Sequence, residues 1–311
     1  MKITTTIAAS VAALALFSTA SLGADLVRKA PPKPVVAAAP PCDLAFGGGV
    51  QSDYNFRGIS QTDKGVGGFA YVEPRCKVHP NIELYAGIWA WSTKLPTTPT
   101  AEVDVYGGIR PTIGPVAFDF GFMYYWYPKE VQQWFNNAAL TSLTTTPTVF
   151  GPFTVRDTDF WEFYGKATWT VNDWLSLSPY VYYTPNWLGT GAKATYAGGT
   201  VKVTAPSAWF PSDVGMYASA DVARYWIGTF NAFGVPFDLP DYTQWNAGIG
   251  FTYKVVTLDI RYYDTDLSRA ACFLLTSDPS GVTSGTNTSK WCDATVIAKL
   301  SFDLTLNNNI K

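Results

Sequence analysis

Residues 116–127, Val-Ala-Phe-Asp-Phe-Gly-Phe-Met-Tyr-Tyr-Trp-Tyr, constrain the fold more than any other stretch. In an extended chain Val116, Phe118, Phe120, Phe122, Tyr124 and Trp126 share one face, and Ala117, Asp119, Gly121, Met123, Tyr125 and Tyr127 share the other. A strand of this length, apolar on one side and mixed on the other, suits a bilayer crossing with the apolar face towards lipid. The aromatic residues crowd at one end, and amphipathic rings favour the depth where hydrocarbon meets headgroups. One such segment is equally compatible with a strand of a soluble sandwich, so recurrence decides.

The pattern recurs in six hairpin-like units after Asp43. Their first strands are read at 44–57, 82–91, 116–127, 174–184, 214–226 and 255–265, each climbing into aromatic residues. Tyr54, Trp89, Trp91, Tyr124, Trp126, Tyr183, Trp226 and Tyr262 are the expected interfacial girdle. Return strands are read at 67–77, 101–111, 157–170, 193–205, 242–253 and 291–306. Connections on the aromatic side are long and those on the other side are tight, such as Pro80-Asn81, which is the asymmetry of an outer-membrane barrel. The fold class is all-β, an antiparallel transmembrane β-barrel of about twelve strands over 43–306, with a tail at 307–311.

The chain opens with Lys2, an apolar run over 7–17, and small residues at Ser21 and Gly23, a secretory signal peptide over 1–23. No other segment approaches about 18 uninterrupted apolar residues, so a membrane-resident mature chain crosses as strands. Residues 24–42 are rich in Pro and Ala and read as a periplasmic linker. Without the leader, 21 Lys and Arg stand against 24 Asp and Glu, which is no nucleic-acid binder's balance. Aromatics at 16% and charges at 15% fit a chain with one face in lipid and exclude disorder. All four cysteines lie in the exported part, where disulfides form. Pairing Cys42 with Cys76 and Cys272 with Cys292 clips the two ends of one hairpin in each case, and a four-cysteine metal site lacks CxxC spacing.

Strand parity assigns the charges to the lumen. Expected pore-lining residues are Asp53, Arg57, Glu83, Glu102, Asp104, Arg110, Asp119, Glu162, Lys166, Lys202, Asp221, Asp259, Arg261 and Lys299, and the same inward set takes in Glu73, Arg75, Asp293 and Asp303. Eleven acids against seven bases make the interior mildly electronegative, and charged rings bias which ions pass. The competing reading is that these charges pair across the lumen and close it, for example Asp259 and Arg261 with Asp53 and Arg57. Residues 128–156 are too long for a simple turn; a short helix over 130–140 and a fold back over the mouth are expected, against an ordinary surface loop.

Enzyme chemistry is poorly supplied. His79 is the one histidine and sits in a His-Pro-Asn turn, and GxSxG, HExxH and GxxxxGK are all missing. No catalytic residue, cofactor or metal is expected, and the chain reads as no enzyme.

At 52–62, Ser-Asp-Tyr-Asn-Phe-Arg-Gly-Ile-Ser-Gln-Thr, the sequence resembles the TorF-like porin family of bacterial outer-membrane proteins. Similar pieces follow in order at 83–89, 102–108, 124–128, 160–164, 182–185, 241–245 and 263–267, so the likeness covers essentially the whole chain after Pro41. The resemblance implies an outer-membrane barrel with a pore role and brings no catalytic or ligand residues. The loop over 128–156 is longer than the family pattern, and five residues follow Leu306 where such barrels often stop at an aromatic.

The reading that results is a porin-like channel in the outer membrane of a Gram-negative bacterium. It would be embedded in outer-membrane lipid and pass small polar solutes or ions with a weak cation preference. A closed structural or surface-interaction barrel is the alternative, and a soluble secreted β-sandwich the third. A homo-oligomer is compatible with the barrel, and nothing in the sequence argues for one.

Overall fold

In the computed structural model residues 41–232 and 235–309 are described, so the signal peptide and nearly all of the Pro/Ala segment lie outside the described residues. Twelve strands run up and down: β1 (Cys42–Gln51), β2 (Gly67–His79), β3 (Ile82–Trp91), β4 (Glu102–Ile113), β5 (Val116–Trp126), β6 (Phe160–Thr170), β7 (Leu175–Thr184), β8 (Ala194–Thr204), β9 (Val214–Ile227), β10 (Tyr242–Tyr253), β11 (Val256–Thr265) and β12 (Thr295–Thr305). Each pairs antiparallel with its sequence neighbour, and β1 closes on β12 in the register Ala45↔Thr305 to Gln51↔Lys299, a closed barrel. Closure removes the unpaired edges that lipid would not tolerate.

The short connections follow from local turn chemistry. Pro80-Asn81 joins β2 to β3, and Gly114, at φ +57°, joins β4 to β5 with Pro115. At the opposite end the connections are long. Disulfides join Cys42 to Cys76, which face each other across β1 and β2, and Cys272 in helix α1 (Arg269–Thr276) to Cys292.

The register keeps one face apolar around the whole circumference. Ile109 faces Phe120, Phe122 faces Phe163, Ile249 faces Ile260 and Leu258 faces Leu300. All twelve strands carry at least one exposed large apolar side chain, from Val50 on β1 to Val296 on β12. Such a continuous belt exceeds anything a water-soluble surface sustains, so this face meets lipid, and the chain is an outer-membrane-type barrel.

Inside, tyrosines lie over glycines of neighbouring strands. A Cβ on Gly87 would stand 2.4 Å from Cζ of Tyr106, and one on Gly121 would stand 2.4 Å from Oη of Tyr164. The missing side chains therefore give the rings their seats on the barrel wall.

Three expectations need correction. The first strand ends at Gln51, not Arg57, because residues 52–66 leave the sheet and fold inward. Tyr54, Trp89 and Trp91 are therefore no part of the outer girdle. Trp89 and Trp91 share strand parity with Glu83 and face the lumen, where Trp89 packs on Tyr71 at 4.8 Å and Trp91 stacks on Tyr54 at 4.1 Å. Tyr124, Trp126, Tyr183, Trp226 and Tyr262 lie on the outer face, joined by Trp245. No helix forms over 130–140; Trp134–Phe135 pairs instead with Leu143–Thr144.

The ring-over-glycine packing is testable. Gly87→Val forces the Tyr106 ring off the wall and lowers unfolding stability in detergent by about 1–3 kcal/mol. Adding Tyr106→Ala to Gly87→Val recovers part of that loss; an unchanged urea midpoint in Gly87→Val contradicts the packing described.

Candidate functional site

The lumen is divided by an infolded hairpin. Asn55–Phe56 pairs with Ile59–Ser60, and the two residues between them, Arg57 and Gly58, both have positive φ, +52° and +89°. This is the geometry of a tight hairpin turn with left-handed residues at both central positions. Gly58 is required: a Cβ there would lie 2.4 Å from Cγ2 of Thr265. Arginine in the first position is locally unfavourable, and strain of this kind persists where the surroundings hold the residue for a purpose.

What holds Arg57 is the barrel wall. Its two terminal nitrogens donate to Oε1 and Oε2 of Glu162 on β6 at 2.8 and 2.6 Å, and one also donates to the Tyr225 hydroxyl at 2.8 Å. The guanidinium lies 4.4–4.9 Å from the ring centres of Phe56, Tyr182, Tyr196 and Tyr225. Tyr242 Oη donates to the Arg57 carbonyl at 2.9 Å. Only 6% and 1% of the two charged side chains are exposed. Burial opposes the charge on Arg57, and the facing carboxylate overcomes it, holding its pKa well above the ordinary value.

The hairpin is tied at its stem as well. Ser60 N–H donates to the Trp291 carbonyl at 2.9 Å, the Trp291 indole N–H to Asp63 at 2.9 Å, and Lys64 Nζ to the Asp293 carbonyl at 2.8 Å. Asp53 accepts from Ser60 at 2.6 Å and Thr62 at 2.9 Å; burial pushes its carboxyl up, and these hydroxyls counter the shift in part.

Around the hairpin lies an acidic layer. Glu102 accepts from the hydroxyls of Tyr54 and, at 2.8 Å, Tyr127, while Glu162 also accepts from Tyr125 at 3.0 Å. Asp104 is 5% exposed, and its Oδ1 has no hydrogen-bond partner among the described residues. Below this layer, towards the short turns, Arg110 pairs with Glu73 at 2.8 Å, Glu83 at 3.1 Å and Asp119 at 3.6 Å, over the Tyr85 ring. A polar cavity of about 400 Å³ opens there, lined by Lys77, Glu83, Arg110, Asp119, Lys166 and Thr168 among others.

The remaining expected lumen residues form local groups. Lys166 sits 4.5 Å from the Tyr164 ring centre, and Lys202, exposed, 4.3 Å from that of Tyr217. Asp221 accepts from Tyr180, Thr200 and Gln244, the last at 2.6 Å. Asp259 pairs with Arg261 on its own strand at 3.0 Å and faces Lys299 in register. The cross-lumen pairing of Asp259 and Arg261 with Asp53 and Arg57 does not form. Asp293 is corrected too: it lies in the loop before β12, bound to Arg269 at 2.8 Å. Asp53 and Arg57 reach the lumen from the hairpin and not from a strand.

Sequence reasoning missed the tyrosines. Tyr85 shares parity with Glu83, Tyr106 with Asp104, Tyr125 with Asp119 and Tyr164 with Glu162, so the rule that places the charges also places these rings inside. Glu130, Asp157 and Asp159 bring carboxylate oxygens within 4.8 Å of one another in the 127–159 loop. Their oxygens already accept from Thr97, Thr158, Tyr124 and the backbone of Tyr127 and Asp159, which ties the loop down.

Above the hairpin all six long connections meet around a cavity of about 420 Å³. It is lined by apolar and neutral polar side chains, with Phe56 and Ile59 of the hairpin among them.

A family model described as "Bacterial protein of unknown function (Gcw_chp)" matches residues 36–289. The chain belongs to the Gcw_chp family. None of the curated proteins matches it in sequence. Among solved structures, an outer membrane channel from Pseudomonas putida is similar over 89% of this chain and 100% of its own, at 5% identity and TM-score 0.46. LpxR from Salmonella typhimurium is similar over 84% and 99%, at 8% identity and TM-score 0.42. OmpT, an outer membrane protein of Vibrio cholerae, is similar over 85% and 97%, at 9% identity and TM-score 0.35.

The Arg57–Glu162 contact makes a quantitative prediction for this Gcw_chp protein. In a double-mutant cycle with Arg57→Gln and Glu162→Gln, each single change leaves a buried partner unpaired and costs about 3–5 kcal/mol. The double variant recovers at least about 1 kcal/mol of the sum by urea unfolding in detergent. Strict additivity contradicts direct pairing.

Proposed function

We propose that this Gcw_chp barrel resides in the outer membrane of a Gram-negative bacterium and acts as a gated channel for small polar solutes or ions, with the 52–66 hairpin as its gate. The signal peptide read at 1–23, the apolar exterior and the asymmetry of long and short connections support that location. Membership among TorF-like porins belongs to the same reading.

The observation that carries the gate is the acidic layer. Glu102, Asp104 and Glu162 sit buried on β4 and β6, and the ion pair formed by this trio among the described residues is the one with Arg57. A barrel needing only to be filled is better served by apolar side chains, since buried charge is expensive unless paired. Carboxylates in the lumen make sense if water and ions reach them when the hairpin leaves. In the closed state the Arg57 cation takes the place of a permeant one. Withdrawal of Arg57 leaves a cluster of carboxylates on one arc of the wall and a preference for cations. The weak overall excess of acids in the lumen acts in the same direction. No step here requires a covalent catalyst, and the reading assigns the protein no enzymatic activity.

The test is single-channel recording of the mature protein in a planar bilayer. Wild type conducts rarely, and Arg57→Ala raises open probability at least about tenfold, with a cation-selective reversal potential in a salt gradient. Adding Glu102→Gln and Asp104→Asn to that variant moves the reversal potential towards zero. Folded, heat-modifiable Arg57→Ala that passes no current sinks the channel reading and favours a closed barrel acting through its outer loops.

A further inference from the structure

We propose that the cavity above the hairpin is a binding site for a small neutral aromatic molecule carrying one or two hydroxyl groups. This goes beyond the channel reading and does not depend on it, because the site is complete with the lumen closed.

The size and lining define the ligand. A volume of about 420 Å³ is that of a small-molecule pocket. None of its lining residues among the described residues is charged, although acids and bases abound a few residues away on the same loops, so an ion entering would lose its hydration without a partner. Aromatic rings make up about a third of the lining residues, Tyr127, Phe153, Phe160, Trp187, Phe230 and Trp291 among them. Such faces suit a flat apolar body, with offset or edge-on ring contacts. Thr97 and Thr158, whose hydroxyl protons go to Glu130, keep lone pairs as acceptors, and Gln61, Thr154 and Asn231 add neutral polar groups, suited to hydroxyl groups at its rim.

The walls are held in place before any ligand arrives. The Trp291 indole is fixed on Asp63, the Tyr127 hydroxyl on Glu102 and the Tyr242 hydroxyl on the Arg57 carbonyl, and Trp187 packs edge-on against Tyr225. The Trp291 N–H and the Tyr127 and Tyr242 hydroxyls are thus taken up by residues that do not line the cavity, which lowers the ordering cost of binding against these rings. The cavity is also a joint product of all six long connections, each contributing at least one wall residue. Loops that merely cap a barrel have no need to converge on one uncharged chamber.

The site touches the gate. Phe56 and Ile59 flank the Arg57–Gly58 turn and form part of the floor, and Tyr225 and Tyr242 both line the cavity and hold Arg57. A ligand seated there bears on the residues that keep the hairpin in the lumen.

The experiment is isothermal titration calorimetry of the full mature protein in lipid nanodiscs with 1-naphthol, empty discs being subtracted for membrane partition. The expected result is saturable binding of one molecule per chain, at least about tenfold tighter than that of 1-naphthalenesulfonate, its anionic counterpart. Leu274→Arg, at the exposed rim, and Phe230→Arg each place a cation in the chamber and weaken 1-naphthol at least about tenfold, with heat-modifiability confirming a folded barrel. Non-saturable uptake equal to empty discs, equal affinity for the sulfonate, or undiminished binding in both folded variants overturns the proposal. Because the readout is heat and not current, a silent channel leaves this result untouched.

Discussion

A guanidinium held between a carboxylate and four aromatic rings in the middle of a barrel is the contact on which the interior depends. Twelve strands enclose more room than the side chains of a small barrel fill, so the interior must hold water, ligand or protein. Here it holds protein, residues 52–66, and that segment stays because Arg57 answers Glu162. Replacing the water around two charges with each other is roughly neutral in energy, but leaving either one alone is costly. The contact therefore acts as a latch more than as a source of stability.

Much of this architecture is legible in the sequence because a barrel repeats one simple rule. Alternation fixes which side of each strand meets lipid, and β3, β5 and β10 begin where the pattern begins, at Ile82, Val116 and Tyr242. The pairings of Cys42 with Cys76 and Cys272 with Cys292, suggested by hairpin geometry, are the ones present. Where the rule was not carried through, the outcome differs. Trp89 and Trp91 have the parity of Glu83, and aromatic character suggested lipid when parity already placed them in the lumen.

The hairpin was illegible for a different reason. Residues 44–57 read as one strand because Tyr54 and Phe56 continue an alternating apolar pattern, and periodicity does not distinguish a strand in the wall from a short one folded beneath it. The local clue was Arg57-Gly58, a tight-turn pair with glycine second. Long-range contacts settled the rest: Glu162, Tyr225 and Thr265 lie over a hundred residues away, and no local pattern encodes them. Above the Arg57 contact, a chamber with no charged residue among its described lining shares Tyr225 and Tyr242 with it, so the outer loops and the infolded hairpin are held by common residues.

The measurement that bears most directly on a latched, removable hairpin is hydrogen–deuterium exchange of the mature protein in lipid nanodiscs. Amides over 55–62 are predicted to exchange through local opening, well before those of β5 and β6, and Arg57→Ala is predicted to speed them at least about tenfold and to leave them exchanging well ahead of the strands. A hairpin as protected as the barrel wall, and indifferent to Arg57, would contradict the account and make residues 52–66 a fixed part of a closed barrel.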